Sequence, residues 1–295
     1  MRVCTLSVNK SSLPSLPRSH LASDSRKFEE RNIMSTKVLS AGAAYLESLL
    51  GLSGRTAVVT GGSSGIGREM ATALSMAGAS VIIVARRTEP IQETVNHIKK
   101  AGGRAFGLPI DVRDADAIND AVVQNHGVPD ILVNAAGINP RPPMDNISLE
   151  DWEETLAINL TAPFTLGQKF GPAMAERGSG RIINIVSQQS FRAFGNSGAY
   201  GVSKGGLVSL TRSQAEAWSP RGVLCNAIAP GLVATPMTTA VLANSEKAEA
   251  HSSRTMIKRN MVPEDFAGIA LYLAGNASNA VTGQVFFVDG GYSAT

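Results

Sequence analysis

The chain has 295 residues, 43% of them hydrophobic and 17% charged, which suits one folded α/β domain with a substantial core. Its net charge is +3, and residues 1–33 hold six Arg or Lys against three Asp or Glu, so the remainder is balanced and nucleic acid is not an expected partner. The two cysteines, Cys4 and Cys225, provide neither a disulfide framework nor metal-ligand spacing, and no apolar run approaches the ~20 residues needed to cross a bilayer; no metal and no membrane contact are expected.

Residues 1–33 mix Ser7, Ser11, Ser12, Ser15, Ser19 and Ser23 with Arg and Lys, and no acid precedes Asp24. Two readings stand for this segment: a disordered extension with a functional start at Met34, or a cleaved transit peptide. The first implies a cytoplasmic protein, the second a mitochondrial one. Residues 34–54 read as a short lead-in with a helix around Ala41–Leu50.

From Thr56 onward strands and helices alternate. Thr56–Thr60, Ser80–Ala85, Ala105–Ile110, Asp130–Asn134, Ile182–Ser187, Val223–Ala229 and Gln284–Val288 read as strands, the first and fifth of them as buried ones. Gly65–Ala77, Glu89–Ala101, Ala115–Asn125, Ser148–Glu176, Ser197–Trp218 and Pro263–Ala274 read as the helices between them, with Ser148 as a cap and Glu150-Asp151 in the first turn. The expected fold is a doubly wound parallel sheet of about seven strands with helices on both faces, in one domain spanning 55–295. Residues 232–262 break the rhythm, and a long excursion beside a strand end reads as a lid. Cys225, inside the apolar run Gly222–Ala229, reads as a buried, inert thiol.

Three stretches carry chemistry. Thr60-Gly61-Gly62-Ser63-Ser64-Gly65-Ile66-Gly67 joins the first strand to its helix, where glycines let the backbone approach a pyrophosphate at a helix N-terminus. Tyr200 and Lys204 lie four apart, hence on one helix face, and a nearby cation lowers a phenol's pKa toward that of a usable proton carrier. Ser187 closes the fifth strand at its carboxyl end, where ligands of parallel sheets sit.

Together these residues resemble the short-chain dehydrogenase/reductase family over about residues 52–295, with the glycine loop in its T-G-x-x-x-G-x-G form and Asn134-Ala135-Ala136-Gly137 matching its N-A-G motif. The resemblance implies a Rossmann-type fold and hydride transfer between a secondary alcohol or ketone and a nicotinamide. It implies a catalytic tetrad of Asn159, Ser187, Tyr200 and Lys204. Tyr200 moves the hydroxyl proton, Ser187 holds the same oxygen, Lys204 lowers the tyrosine pKa, and Asn159 holds a water behind Lys204. Implied cofactor contacts are Gly61, Ser63, Ser64, Gly65, Ile66, Gly67, Asp111, Val112, Asn134, Ala135, Gly137, Pro230, Gly231, Val233 and Thr235, besides Tyr200 and Lys204. Asp111 is expected at the adenine, and it is also a candidate cap for the next helix.

The second strand ends at Ala85 with no carboxylate to accept from a ribose 2′-hydroxyl, and Arg86 follows, a match to members that use the phosphorylated cofactor. NADP(H) is therefore expected over NAD(H). The segment Gly231–Val262 and the leading Leu52-Ser53-Gly54 are most similar to gluconate 5-dehydrogenase-type members, so a small sugar acid or polyol is the expected substrate. Arg141, Gln189 and Arg192 are the candidates to bind it, the arginines through a carboxylate. A 3-oxoacyl carrier-protein reductase is the second reading, and a non-catalytic cofactor-binding regulator the third. Family resemblance also implies a homotetramer built on the helices around 150–176 and 198–218.

Overall fold

The structure is a computed structural model describing residues 40–294; the segment 1–33 and the start of the expected lead-in lie outside the described residues. Residues 40–50 form a helix, α1, close to the expected span. The strands all fall in the compact unit Glu47–Thr295. That unit begins before the expected boundary at 55. Leu52 explains why: it is wholly buried, and its N–H donates to the Ala77 carbonyl at 2.7 Å.

Seven strands follow the expected order: β1 Thr56–Thr60, β2 Ser80–Ala85, β3 Arg104–Pro109, β4 Ile131–Asn134, β5 Gly180–Ile185, β6 Val223–Pro230 and β7 Val285–Val288. They form a single sheet in the order β3-β2-β1-β4-β5-β6-β7. Every pairing is parallel. The order reverses between β1 and β4, which opens a crevice at the strands' carboxyl ends. Successive side chains point to opposite faces. Val59, Val133 and Ile183 accordingly join one core while Val58, Leu132 and Ile182 join the other. This double burial is why the five inner strands read as continuous apolar runs, whereas the edge strands β3 and β7 stay partly exposed.

The helices are α2 Gly65–Met76, α3 Thr88–Lys100, α4 Ala115–His126, α5 Leu149–Leu156, α6 Ala162–Arg177, α7 Gly198–Trp218, α8 Thr239–Leu242, α9 Ser245–Arg254 and α10 Ala267–Ala274. The helix expected over Ser148–Glu176 is thus two helices joined by one wide turn, Ala157–Thr161, of π geometry. Pro163 supplies the reason. It has no N–H to give the carbonyl four residues back, and the N–H of Ala162 reaches five back, to Ala157. The expected cap does hold: the Ser148 hydroxyl accepts from the Asp151 N–H at 3.0 Å. β5 stops at Ile185, two residues short of the expected end. Ser187 instead caps a 3₁₀ turn over Gln188–Ser190.

The excursion after β6 holds α8 and α9. Its two ends meet: Val233 bridges Met261, the Ala234 N–H donates to the Met261 carbonyl at 2.9 Å, and the Met261 N–H to the Leu232 carbonyl at 2.9 Å. No helix among the described residues is long and apolar enough to cross a membrane.

Candidate active site

The glycine loop turns between β1 and α2 under tight steric limits. Gly61 has φ +68°, and a Cβ there would sit 2.7 Å from the Ala136 nitrogen; a Cβ on Gly67 would meet the Gly61 carbonyl oxygen at 2.4 Å. Only glycine allows both approaches. Ser64, at the N-cap of α2, makes no side-chain bond to the first turn, which leaves those amides facing the crevice mouth. The Thr60 hydroxyl ties this loop to the end of β4, accepting from the N–H groups of Ala135 at 3.2 Å and Ala136 at 3.3 Å. Bare backbone at a helix N-terminus fits the pyrophosphate of a dinucleotide.

Beyond β2, Arg86 and Arg87 are exposed. Asp111 follows β3 and carries a 2.7 Å ion pair with Arg113. That bond holds its carboxyl below the ordinary range, with the Arg86 charge adding to the effect. Asp111 does not cap α4; Asp114 does, accepting from the Ala117 N–H. Asn134 lies in a buried amide ladder, donating to Asn184 at 2.8 Å, and Asn184 donates on to Thr211 and Gln214.

The four residues of the expected tetrad converge. Ser187 follows β5, Tyr200 and Lys204 lie on the first turns of α7, and Asn159 lies on the wide turn. Asn159 is fully buried. Its Oδ1 accepts from the Ile138 N–H, and its Nδ2 donates to the Ile138 carbonyl and the Ser203 hydroxyl. A Cβ on Gly137 would lie 3.2 Å from Asn159 Oδ1 and 3.5 Å from Lys204 Nζ, so both groups close on this one glycine. Lys204 Nζ donates to the Ile185 carbonyl at 2.8 Å and stands 5.9 Å from the Tyr200 ring centre. Ser187 accepts from the Gln189 N–H at 3.1 Å and is in hydrogen-bond reach of the Tyr200 hydroxyl.

The charge balance differs from the expectation that Lys204 lowers the Tyr200 pKa. Desolvation raises Tyr200 above its ordinary value, against lowering by the Ser187 hydrogen bond and the Arg141 charge. Burial pushes Lys204 itself down to about 8. Lys204 still carries its proton below pH 8, and its ammonium is directed to the Ile185 carbonyl. Cys225 is buried, and burial pushes its thiol up to about 12, the inert state expected.

A cavity of about 690 Å³ opens over these groups. Of the expected cofactor residues, Gly61, Ser64, Gly65, Ile66, Gly67, Ala135, Gly137, Pro230, Gly231, Val233 and Thr235 line it, with Ser187, Tyr200 and Lys204. Ser63, Arg86, Asp111, Val112 and Asn134 are not part of that lining. Arg141 and Gln189 line it too. Arg141 holds a left-handed φ of +61° and its charge acts on Tyr200, while Gln189 Oε1 accepts from the Ser197 hydroxyl at 2.7 Å. Arg192 turns away to the tail, donating to the Ser293 carbonyl at 2.7 Å. Sequence reasoning passed over Gln188, Lys247 and His251, which also line the cavity. The four-residue spacing of Lys247 and His251 within the excursion was the available signal.

Comparison with known proteins agrees with this geometry. A family model of short-chain type, described as enoyl-(acyl carrier protein) reductase, matches residues 61–293. Gluconate 5-dehydrogenase of Gluconobacter oxydans is 37% identical over 82% of this chain and 96% of its own length. A 3-oxoacyl-[acyl-carrier-protein] reductase of Aquifex aeolicus is 37% identical over 81% of this chain and 98% of its own. A solved structure of a gluconate 5-dehydrogenase assigned as NAD(P)-dependent, from Beutenbergia cavernae with bound NADP, superposes with a TM-score of 0.80 at 42% identity, covering 83% of this chain and 99% of that one. With its parallel seven-stranded sheet, glycine loop and converged Ser187, Tyr200 and Lys204, the chain belongs to the short-chain dehydrogenase/reductase family and is an oxidoreductase of alcohol and keto groups.

Proposed function

We propose that this enzyme interconverts a secondary alcohol and a ketone on a small polyhydroxy acid, using NADP(H) in preference to NAD(H). The observation that carries the reading is the meeting of Ser187, Tyr200 and Lys204 in the lining of one cavity, with Asn159 buried beside Gly137 behind them. Bound nicotinamide supplies or takes the hydride. Tyr200, whose raised pKa keeps its proton at neutral pH, gives that proton to a ketone oxygen. Ser187 donates to the same oxygen and steadies its developing charge. Lys204 and Asn159 hold the floor in register through Ile185 and Ile138.

The substrate class is supported by the names of the similar gluconate 5-dehydrogenases and by Arg141, a cation at the cavity wall that suits a carboxylate. Cofactor choice is supported by Ala85 and Arg86 at the end of β2, where a carboxylate would repel a 2′-phosphate. Assembly as a homotetramer and a cytoplasmic location, or a mitochondrial one where residues 1–33 act as a transit peptide, belong to the same reading.

The test is turnover by the wild type and by Tyr200→Phe against sugar acids, polyols and 3-oxoacyl thioesters. The wild type should favour the sugar acids. The variant should lose nearly all kcat while still binding NADPH. Substantial residual kcat would overturn the role of Tyr200. Turnover confined to the thioesters would establish the second reading, which the similarity to the Aquifex aeolicus reductase favours.

A further inference from the structure

The residue after the catalytic serine is held in an unusual way. Gln188 is only 4% exposed, yet it lines the cavity, and its Oε1 has no hydrogen-bond partner. A buried carbonyl without a donor has lost its water for nothing in return, so native structures seldom keep one without a use. The other end of the amide is fixed. Gln188 Nε2 lies 3.1 Å from His251 Nε2, and His251 Nδ1 lies 2.9 Å from Asn260 Oδ1.

The direction of these bonds follows from the far end of the network. Asn260 donates its own Nδ2 hydrogen to the Ala248 carbonyl at 3.0 Å, so its Oδ1 is the acceptor. His251 therefore carries its proton on Nδ1 and leaves Nε2 as an acceptor. Only the amino end of Gln188 can meet that nitrogen. The carbonyl end is left over. The ring plane is set by stacking on Tyr292, with centroids 4.5 Å apart and planes 13° apart, and Arg254 covers the Tyr292 ring at 4.5 Å; a half-turn within that plane would break the Asn260 bond.

We infer that Gln188 is a specificity-determining residue whose Oε1 accepts a hydrogen bond from a substrate hydroxyl near the reacting carbon, and that His251, reaching from α9, is the positioning residue that keeps this acceptor presented. The inference deepens the polyhydroxy-acid reading and rests on it. It separates the two similar activities by chemistry: a sugar acid carries neighbouring hydroxyls to give such a bond, whereas a 3-oxoacyl chain has methylene carbons there and would leave Gln188 unpaired.

Protonation of His251 reverses the arrangement. A charged ring donates from both nitrogens, so the Gln188 amide must turn over to offer Oε1 to His251, and its amino group then takes the place of the acceptor. Burial holds the His251 pKa below its ordinary value, with the Asn260 bond and Asp289 opposing and Arg254 assisting. Lys247, on the same face of α9, is the further cation at this wall. Near neutral pH the ring stays neutral and the acceptor is presented.

The experiment compares kcat/KM for D-gluconate and its single-deoxy analogues, and for 5-keto-D-gluconate, in the wild type, Gln188→Leu, His251→Phe and the double variant, with melting curves for each protein. His251→Phe keeps a ring to stack on Tyr292 but removes both nitrogens. The wild type should prefer gluconate over one deoxy analogue by roughly tenfold, through KM rather than kcat, and the preference should fade in acid as the pH falls below the ordinary histidine range and His251 takes up a proton. Both single variants should lose that preference and its pH dependence, and the double variant should lose no more than either alone. A wild type that treats all the deoxy analogues like gluconate overturns the inference while the proposed function stands. A Gln188→Leu variant that keeps the preference overturns it as well. An enzyme that turns over no polyhydroxy acid overturns the proposed function, and the inference with it.

Discussion

At the scale of single residues, Lys204 makes the clearest physical demand. Its ammonium is buried and bonded to one carbonyl, and its pKa falls from 10.5 to about 8. In the unfolded chain the same lysine titrates near its ordinary value. Below pH 8 both states hold the proton, and the folded state bears the full cost of burying it. Between pH 8 and 10.5 the folded state sheds the proton first and that cost is relieved, so this group's contribution to stability rises with pH. Lys204→Met should therefore be more stable than the wild type at pH 7, by on the order of 3 kcal/mol, and should lose the advantage by pH 10.5. Urea melts at the two pH values decide it; an equal gap at both contradicts the assignment. Arg86 belongs to this scale too. Arg86→Ala should raise KM for NADPH at least tenfold and leave KM for NADH within about twofold, since one charge-assisted bond contributes about 1.5–3 kcal/mol. A wild type that works as well with NADH would refute the cofactor preference. Tyr200, Lys204 and Ser187 were legible in the sequence because their spacing encodes a meeting in space. Gln188 and His251 were not, since their partnership spans 63 residues and neither forms a motif.

At the scale of elements, the contact between α6 and α7 shows how closely two helices can be set. A Cβ on Gly171 would lie 2.5 Å from two ring atoms of Trp218. Trp218 is buried and belongs to the core that also holds Phe170 and Met174 of α6. Gly171→Ala should destabilise by about 1–3 kcal/mol through overpacking. Gly268→Ala, on the exposed side of α10 with nothing within 4 Å, should stabilise by about 0.5–1 kcal/mol through the unfolded chain. Thermal melts of the pair give opposite shifts; shifts of the same sign would contradict this account. Strand positions were readable because double burial leaves unbroken apolar runs. The break in the long helix was not read, although Pro163 stood in the sequence, because neighbouring positions looked continuously helical. That break is what carries Asn159 to the Ile138 backbone.

At the scale of the whole molecule, the proposed tetramer would cover two exposed apolar side chains. Phe164 on α6 is 45% exposed and Val202 on α7 is 52% exposed, both on helices expected to pack across a two-fold axis. Light scattering at micromolar concentration should give four times the chain mass of 30.8 kDa, and Phe164→Glu should reduce it. A monomeric wild type would refute the tetramer. The doubly wound order was legible from the alternation of strands and helices, and the crevice followed from it. The walls over the crevice were not, because α8 and α9 are set by packing rather than by a motif. One feature of those walls reaches beyond catalysis. Leu232, Val233 and Ala234 are bonded to Met261, so the chain leaves the frame and re-enters it at neighbouring points. Closing such a loop costs only about 0.6 kcal/mol more for each doubling of its length. The part of that stretch beyond Thr238 is thus an exchangeable cassette: a donor sequence of different length could replace α8 and α9, changing what the enzyme accepts while Thr235, β6 and β7 keep their places.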